Sequence, residues 1–357
     1  MWPSFETASL VQARTLMQIV ASEVSGLLLT GAIRDRARGA LLGLAVGDAL
    51  GTTLEFETRD RNPLHTEMVG GGPFGLASGE WTDDTAMALA LADSLIACRG
   101  FDARDLMSRF VGWWRNGAYS CTATCFDIGI TTREALARYE RTGEIFAGST
   151  TPQTAGNGSL MRLAPVALFA LNNPGLADQI ARGQSRTTHG APEAVDACAY
   201  FIQLLRLAIL GEKNPLCARL VIDRDTDGLR PRRFIEGTDG NICRRTWTGE
   251  PAVEAIAAGA WRAKSRAEVR STGCVIDTLE AALWSVVSTN SFEEALILAV
   301  NLAHDADTVG AVTGQLAGAI YGASAIPTRW LAPLAWRERI ITVADGLVDR
   351  IGRPLGS

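Results

Sequence analysis

Apolar residues along this chain recur at helical rather than alternating spacing. They gather into Ala-rich segments over Gly39 to Leu54, Thr85 to Cys98, Ala194 to Ile209, Cys274 to Val287, Phe292 to Ala303 and Thr308 to Tyr321. Alternating runs of the kind that make half-buried strands are almost absent, so the pattern predicts an all-α fold. Between about 211 and 250 the sequence turns polar and reads as an exposed excursion. Its Asp223-Arg224-Asp225-Thr226-Asp227-Gly228 string has no Glu at the twelfth place to complete a calcium loop. Residues 1 to 35 carry Leu10, Leu16, Val20, Val24 and Leu27 at helix spacing. They predict an N-terminal helical extension ahead of one domain over 36–350, and such a stripe is buried either on its own domain or on a partner.

Two predicted helices repeat glycine every fourth residue: Gly39, Gly43, Gly47 and Gly51 in the first, Gly310, Gly314, Gly318 and Gly322 in the last. Glycine inside a helix costs up to about 1 kcal/mol relative to Ala, so eight of them need a compensating reason. Positions i and i+4 share one face, and a glycine row leaves a groove into which another backbone can press. These two helices are therefore expected at the centre of the domain.

Two acidic clusters open helical runs: Thr82-Asp83-Asp84-Thr85 and Asp305-Ala306-Asp307-Thr308. One such cluster is explained by N-capping and the helix dipole. Two, each setting like charges side by side, call for a shared proton or a cation. Oxygen-only donors select Mg²⁺, Mn²⁺ or Ca²⁺ over zinc or copper. The histidines are only His65, His189 and His304, and Cys121 and Cys125 stand in a C-x₃-C rather than a paired C-x₂-C spacing. If both clusters serve one site, the two ends of the chain must meet, which favours a single large domain.

Hydrophobic content of 47% supports a sizeable core. A net charge of −5 argues against nucleic acid, which needs a basic face. The chain has no apolar run of the ~18–20 residues that span a bilayer, no signal peptide at its start and an odd count of seven cysteines. Together these point to a reduced, cytoplasmic setting. The glycine loops Gly70-Gly71-Gly72-Pro73-Phe74-Gly75 and Gly156-Asn157-Gly158-Ser159 are plain turns or phosphate cradles; neither is a Walker or Rossmann fingerprint.

Six motifs then stand in a recognisable order. They are Gly47-Asp48-Ala49-Leu50-Gly51 with Glu55; Trp81-Thr82-Asp83-Asp84-Thr85; Cys125-Phe126-Asp127-Ile128-Gly129; Gly156-Asn157-Gly158-Ser159-Leu160-Met161-Arg162; Thr187-Thr188-His189; and Asp305-Ala306-Asp307-Thr308. In this order the chain resembles the ADP-ribosylglycohydrolases, especially their dinitrogenase-reductase-activating branch, from about Arg36 to Trp330. The resemblance implies a single compact, orthogonally packed multi-helix domain holding two divalent cations, Mg²⁺ or Mn²⁺. It makes Thr82, Asp83, Asp84, Asp305, Asp307 and Thr308 the metal ligands, and Glu55, Asp83, Asp84 and Asp305 the catalytic set. Glu55 takes the place of a gating or proton-handling carboxylate, and Gly129, Gly156, Asn157, Ser159 and His189 the substrate-binding positions. His304 departs from the family, where a small residue is usual; its imidazole either crowds the metals or points outwards.

The expected function is metal-dependent hydrolysis that releases ADP-ribose from modified protein side chains, ADP-ribosyl-arginine first. Metal ions suit this reaction because it passes through an oxocarbenium-like state and needs an acidified water. The alternative is an immunity protein that blocks a cognate ADP-ribosylating toxin through residues 1–35, alone or in addition to hydrolysis. The expected partners are an ADP-ribosylated protein and, under the alternative, that toxin through residues 1–35, with no nucleic acid and no membrane.

Overall fold

The structure is a computed structural model and describes residues 31–212 and 247–349. Residues 1–30, with the apolar stripe of the predicted extension, and most of the polar excursion lie outside the described residues. Residues 31–35 form the first turns of a long helix, not part of a separate extension.

The helices run in chain order as α1 (Gly31–Gly51), α2 (Asp83–Cys98), α3 (Ala103–Asn116), α4 (Ile130–Thr142), α5 (Ala164–Phe169), α6 (Pro174–Thr188) and α7 (Pro192–Leu210). After the excursion come α8 (Pro251–Ala257), α9 (Val275–Val287), α10 (Phe292–Val300), α11 (Ala306–Tyr321), α12 (Thr328–Leu331) and α13 (Arg337–Val348). Among the described residues, extended pairing amounts to isolated bridges. The six Ala-rich runs all fall on helices, mostly buried on every side, as expected of central elements. The pattern passed over α3, α4, α6 and α13, whose charged outer faces interrupt the apolar run. α10 stops at Val300, short of the expected Ala303, because Asn301 Nδ2 ties the Ile297 carbonyl to that of His65. Ala303 and His304 then turn through left-handed backbone at φ 59° and 61°.

The glycine rows face each other. A Cβ built on Gly39 would lie 2.3 Å from the Gly318 carbonyl oxygen, on Gly43 2.2 Å from that of Gly314, on Gly47 2.0 Å from that of Gly310, and on Gly51 2.2 Å from that of Ala306. As one number rises the other falls, so α1 and α11 lie antiparallel, backbone against backbone, through the centre of the core. Any side chain larger than hydrogen would push them apart. This pairing brings the start of α11, with Asp305 and Asp307, beside the last turns of α1, with Asp48.

α2 is anchored to α1 by a cap supplied from the other helix. Thr82, at the N-cap, makes no side-chain cap of its own. Instead the buried Asp48 carboxylate accepts the Thr82 and Thr85 amides at 2.8 and 3.0 Å and both hydroxyls at 2.9 and 2.6 Å. One acid in the apolar second half of α1 thus satisfies the orphan donors of the next helix.

Candidate metal centre

Three chain segments meet where α1, α2 and α11 converge. Asp48, Asp84 and Asp307 offer oxygens within 4.8 Å of one another, and so do Glu55, Asp305 and Asp307, with Asp307 common to both groups. Thr82 Oγ1 sits at the centre, 2.9 Å from Asp48, 3.1 Å from Asp84 and 3.3 Å from Asp307. A hydroxyl has one proton, so it cannot satisfy three carboxylate oxygens. Asp83 is buried in the same cluster, and its carboxyl is raised by burial, then by Asp307 and Asp48.

The C-terminal acids are held by the segments around them. Glu55 accepts the Ala306 amide at 2.8 Å, and the backbone of Phe56 and Glu57 pairs with His304 at 2.7 and 3.0 Å. That pairing leaves the His304 side chain exposed, so it points outwards and does not crowd the acids. Asn157 Nδ2 donates to Asp305 at 2.6 Å and to Thr278 at 2.8 Å, while its amide is fixed by the Gly273 carbonyl. Thr308 bonds the Asp305 carboxylate through its side chain and the Asp307 carboxylate through its amide, the latter at 2.7 Å. The six expected metal ligands and Glu55 are therefore in one place.

Burial and mutual repulsion push these acids towards protonation. Asp48 and Asp305 are each raised to about 7, first by burial and next by Asp307. Asp84 is raised by burial and then by Asp48, and Glu55 far above the carboxylate range by burial, Asp307 and Asp305. Among the described residues, no Lys or Arg forms an ion pair with any member of the cluster, and one buried oxygen, Asp84 Oδ1, has no hydrogen-bond partner. Unpaired buried carboxylates at this density, with an orphaned oxygen among them, are the donor set that a hard cation fits.

The sequence reading did not assign two further acids to the site. Asp48 was visible as the lone charge in the glycine-rich apolar stretch 39–51 of α1. Asp127 sits at φ 55°, left-handed for a non-glycine residue, and is raised to about 11 by burial, Asp307 and Asp83. Its signal was an acid directly after Phe126 and two residues before Gly129. Phe126 beside it, Phe74 and Phe56 form a chain of rings at 5.3 and 6.2 Å centroid spacing along the rim. A cleft of about 780 Å³ opens between 53–57 and 62–67, with Glu55 on its wall.

The predicted substrate positions spread around the Asn157 loop. Gly156 and Gly158 lie against the His189 ring. Ser159 is fully buried, its hydroxyl meeting Ser185 at 2.9 Å and Cys198 at 3.4 Å, so it supports the loop from beneath. Gly129 is exposed at the N-terminus of α4. α5 begins only at Ala164, so the glycines of 156–158 form a turn and do not lead directly into a helix. The 70–75 loop closes on itself through Gly71 and Leu76 and packs Gly72 on the Thr52 carbonyl.

A family model described as ADP-ribosylglycohydrolase matches residues 29–355. The chain belongs to the ADP-ribosylglycohydrolase family. It is 46% identical to the ADP-ribosylarginine hydrolase Tri1 of Pseudomonas putida over 88% of this chain and 78% of that one. It is 33% identical to the ADP-ribosyl-[dinitrogen reductase] glycohydrolase of Rhodospirillum rubrum over 86% and 92%. A solved structure titled ADP-ribosylglycohydrolase-related protein complex superposes with a TM-score of 0.72 at 41% identity, covering 89% of this chain and 98% of that one. The helical architecture is that of the ADP-ribosylglycohydrolases, and the chain is a glycohydrolase.

Proposed function

We propose that this glycohydrolase removes ADP-ribose from arginine side chains of modified proteins, using two Mg²⁺ or Mn²⁺ ions held by Thr82, Asp83, Asp84, Asp305, Asp307 and Thr308. The observation that carries the reading is the convergence of carboxylates from both ends of the chain on Thr82, without a protein cation and with Asp84 Oδ1 unpartnered. Bound there, the cations would acidify a water and stabilise the charge that develops as the N-glycosidic bond to ribose opens.

The chain's own residues do the rest. Asp48 locks Thr82 and the start of α2. Asn157 orients Asp305. Glu55, on the wall of the cleft, is placed to carry a proton between water and leaving group. The exposed Phe56 ring, 68% accessible, lines the same opening, and Asp127 is close enough to raise the Glu55 carboxyl by its charge. Acid beside aromatic faces suits a planar cationic guanidinium as the departing group. The name of the Tri1 relatives, ADP-ribosylarginine hydrolase, supports the same linkage.

The five described cysteines are free, which agrees with a reducing cytoplasm, and no described helix is long and apolar enough to cross a membrane. The toxin-blocking alternative rests on residues 1–35, nearly all outside the described residues, and no structural observation favours it.

Mass-spectrometric assay of ADP-ribose release from arginine-, serine- and nucleotide-linked substrates tests the proposal. Release from the arginine conjugate, dependent on Mg²⁺ or Mn²⁺, is expected. Release from the other linkages only would overturn the arginine assignment.

A further inference from the structure

Arg162 is fully buried yet meets no carboxylate at hydrogen-bond distance. Its guanidinium bonds the Gln184 side chain at 2.8 Å, the Gln184 carbonyl at 2.9 Å and Thr188 Oγ1 at 2.9 Å, and lies over the Phe110 ring. Thr188 Oγ1 in turn lies 2.9 Å from His189 Nδ1. The direction of this chain follows from satisfying every buried donor in it. Arginine can only donate, so the threonine oxygen accepts from it. Among the described residues the Thr188 hydroxyl has one other polar partner at hydrogen-bond distance, His189 Nδ1. The oxygen has a second lone pair, but accepting from the ring as well would leave the buried hydroxyl proton without an acceptor, so the arrangement that satisfies both groups has Thr188 donating to Nδ1 and the ring proton on Nε2.

The opposite edge of the ring faces the glycine turn. A Cβ on Gly156 would lie 3.3 Å from Nε2, and one on Gly158 2.7 Å from Cε1, so glycine at 158 makes room for the imidazole. His189 is 2% exposed, and among the described residues no protein group hydrogen-bonds to Nε2. A buried polar side chain with one unmatched donor, aimed into the turn that also carries Asn157, is an acceptor site awaiting its ligand.

We propose that Arg162 and Thr188 are positioning residues that fix His189 as the Nε2–H tautomer, so that this side of the site presents a permanent donor to an oxygen acceptor of the substrate's ADP-ribose. The identity of that acceptor rests on the functional reading above; the tautomer does not. A buried Arg162 also disfavours a second positive charge on the ring, and burial together with Arg162 holds His189 down to about 3, so the donor stays a neutral N–H through the physiological range. The arrangement discriminates by sign: an oxygen is welcomed and a donor group is left facing a donor.

The test is ¹⁵N NMR of the full chain labelled at its three histidines, with His189 assigned by comparison with His189→Gln. The wild type is expected to show a protonated Nε2 and an unprotonated Nδ1. Thr188→Val should abolish that preference and raise KM for the ADP-ribosylated substrate about tenfold, the loss of one well-formed hydrogen bond, with the effect falling on KM rather than kcat. Thr188→Ser, which keeps the hydroxyl, should restore both readouts. A wild-type ring protonated on Nδ1, or a tautomer that Thr188→Val leaves untouched, overturns the relay. A correct tautomer in a protein that binds no ADP-ribose would instead overturn the functional reading and leave the relay standing.

Discussion

Thr82 Oγ1 lies 3.3 Å from the Asp307 carboxylate, although 225 residues separate the two in sequence. Nothing local dictates that approach. It follows from the antiparallel glycine seam, which sets Gly47 against Gly310 and Gly51 against Ala306. The fold's central packing and the acidic centre are thus one construction.

The seam predicts opposite responses to the same substitution at different glycines. Gly43→Ala places a methyl 2.2 Å from a backbone oxygen that cannot move aside alone, so it should destabilise by about 1–3 kcal/mol or prevent folding. Gly112→Ala in α3 meets nothing nearer than 3.9 Å and should stabilise by about 0.5–1 kcal/mol. Denaturant midpoints of the two variants check the contrast.

The acids predict an unusual pH dependence in chelator. Asp48 and Asp305 stand near 7 in the folded chain against an ordinary 3.8, so the native state binds more protons than the unfolded one. Their contribution is fully present below about pH 4 and is lost as pH rises through 7. In EDTA the Tm should therefore fall between pH 5 and 8. Mg²⁺ or Mn²⁺ should reverse the trend, because a cation favours the ionised carboxylates. A Tm in EDTA that climbs over this range would contradict the reading.

Removing one acid should separate stability from activity. Asp83→Ala relieves like-charge repulsion in a buried cluster, so the cation-free protein should gain about 1 kcal/mol or more while hydrolysis is lost. Thermal scans in EDTA beside an activity assay measure both.

Asp127→Asn keeps the shape of the side chain and removes its charge. If this acid works at the rim of the centre, ADP-ribose release should drop about 10²-fold with the fold intact by circular dichroism. Unchanged turnover would return Asp127 to a structural role.

Much of this was legible in the chain. The Ala-rich runs gave the buried helices because such helices are apolar all round. The fourfold glycine spacing gave the seam, and the paired acids gave the centre. Amphipathic helices such as α3 and α13 were less visible because their charged faces dilute the apolar signal. Asp48 and Asp127 escaped assignment for a different reason: each stands alone in sequence, and its importance lies in neighbours supplied by other segments. The orientation of His304 was likewise open, since only the backbone pairing with residues 56 and 57 turns it outwards. The Arg162–Thr188–His189 chain needed coordinates, because 26 residues separate Arg162 from the hydroxyl it meets.

The most direct test is calorimetric titration of Mn²⁺ into the folded full-length chain and into its Asp83→Ala, Asp305→Ala variant at neutral pH. The wild type is predicted to bind two ions, and the folded variant to bind neither tightly. A folded wild type that takes up no Mn²⁺, or a variant that binds it undiminished, would contradict the convergence of the two acidic segments on a cation centre.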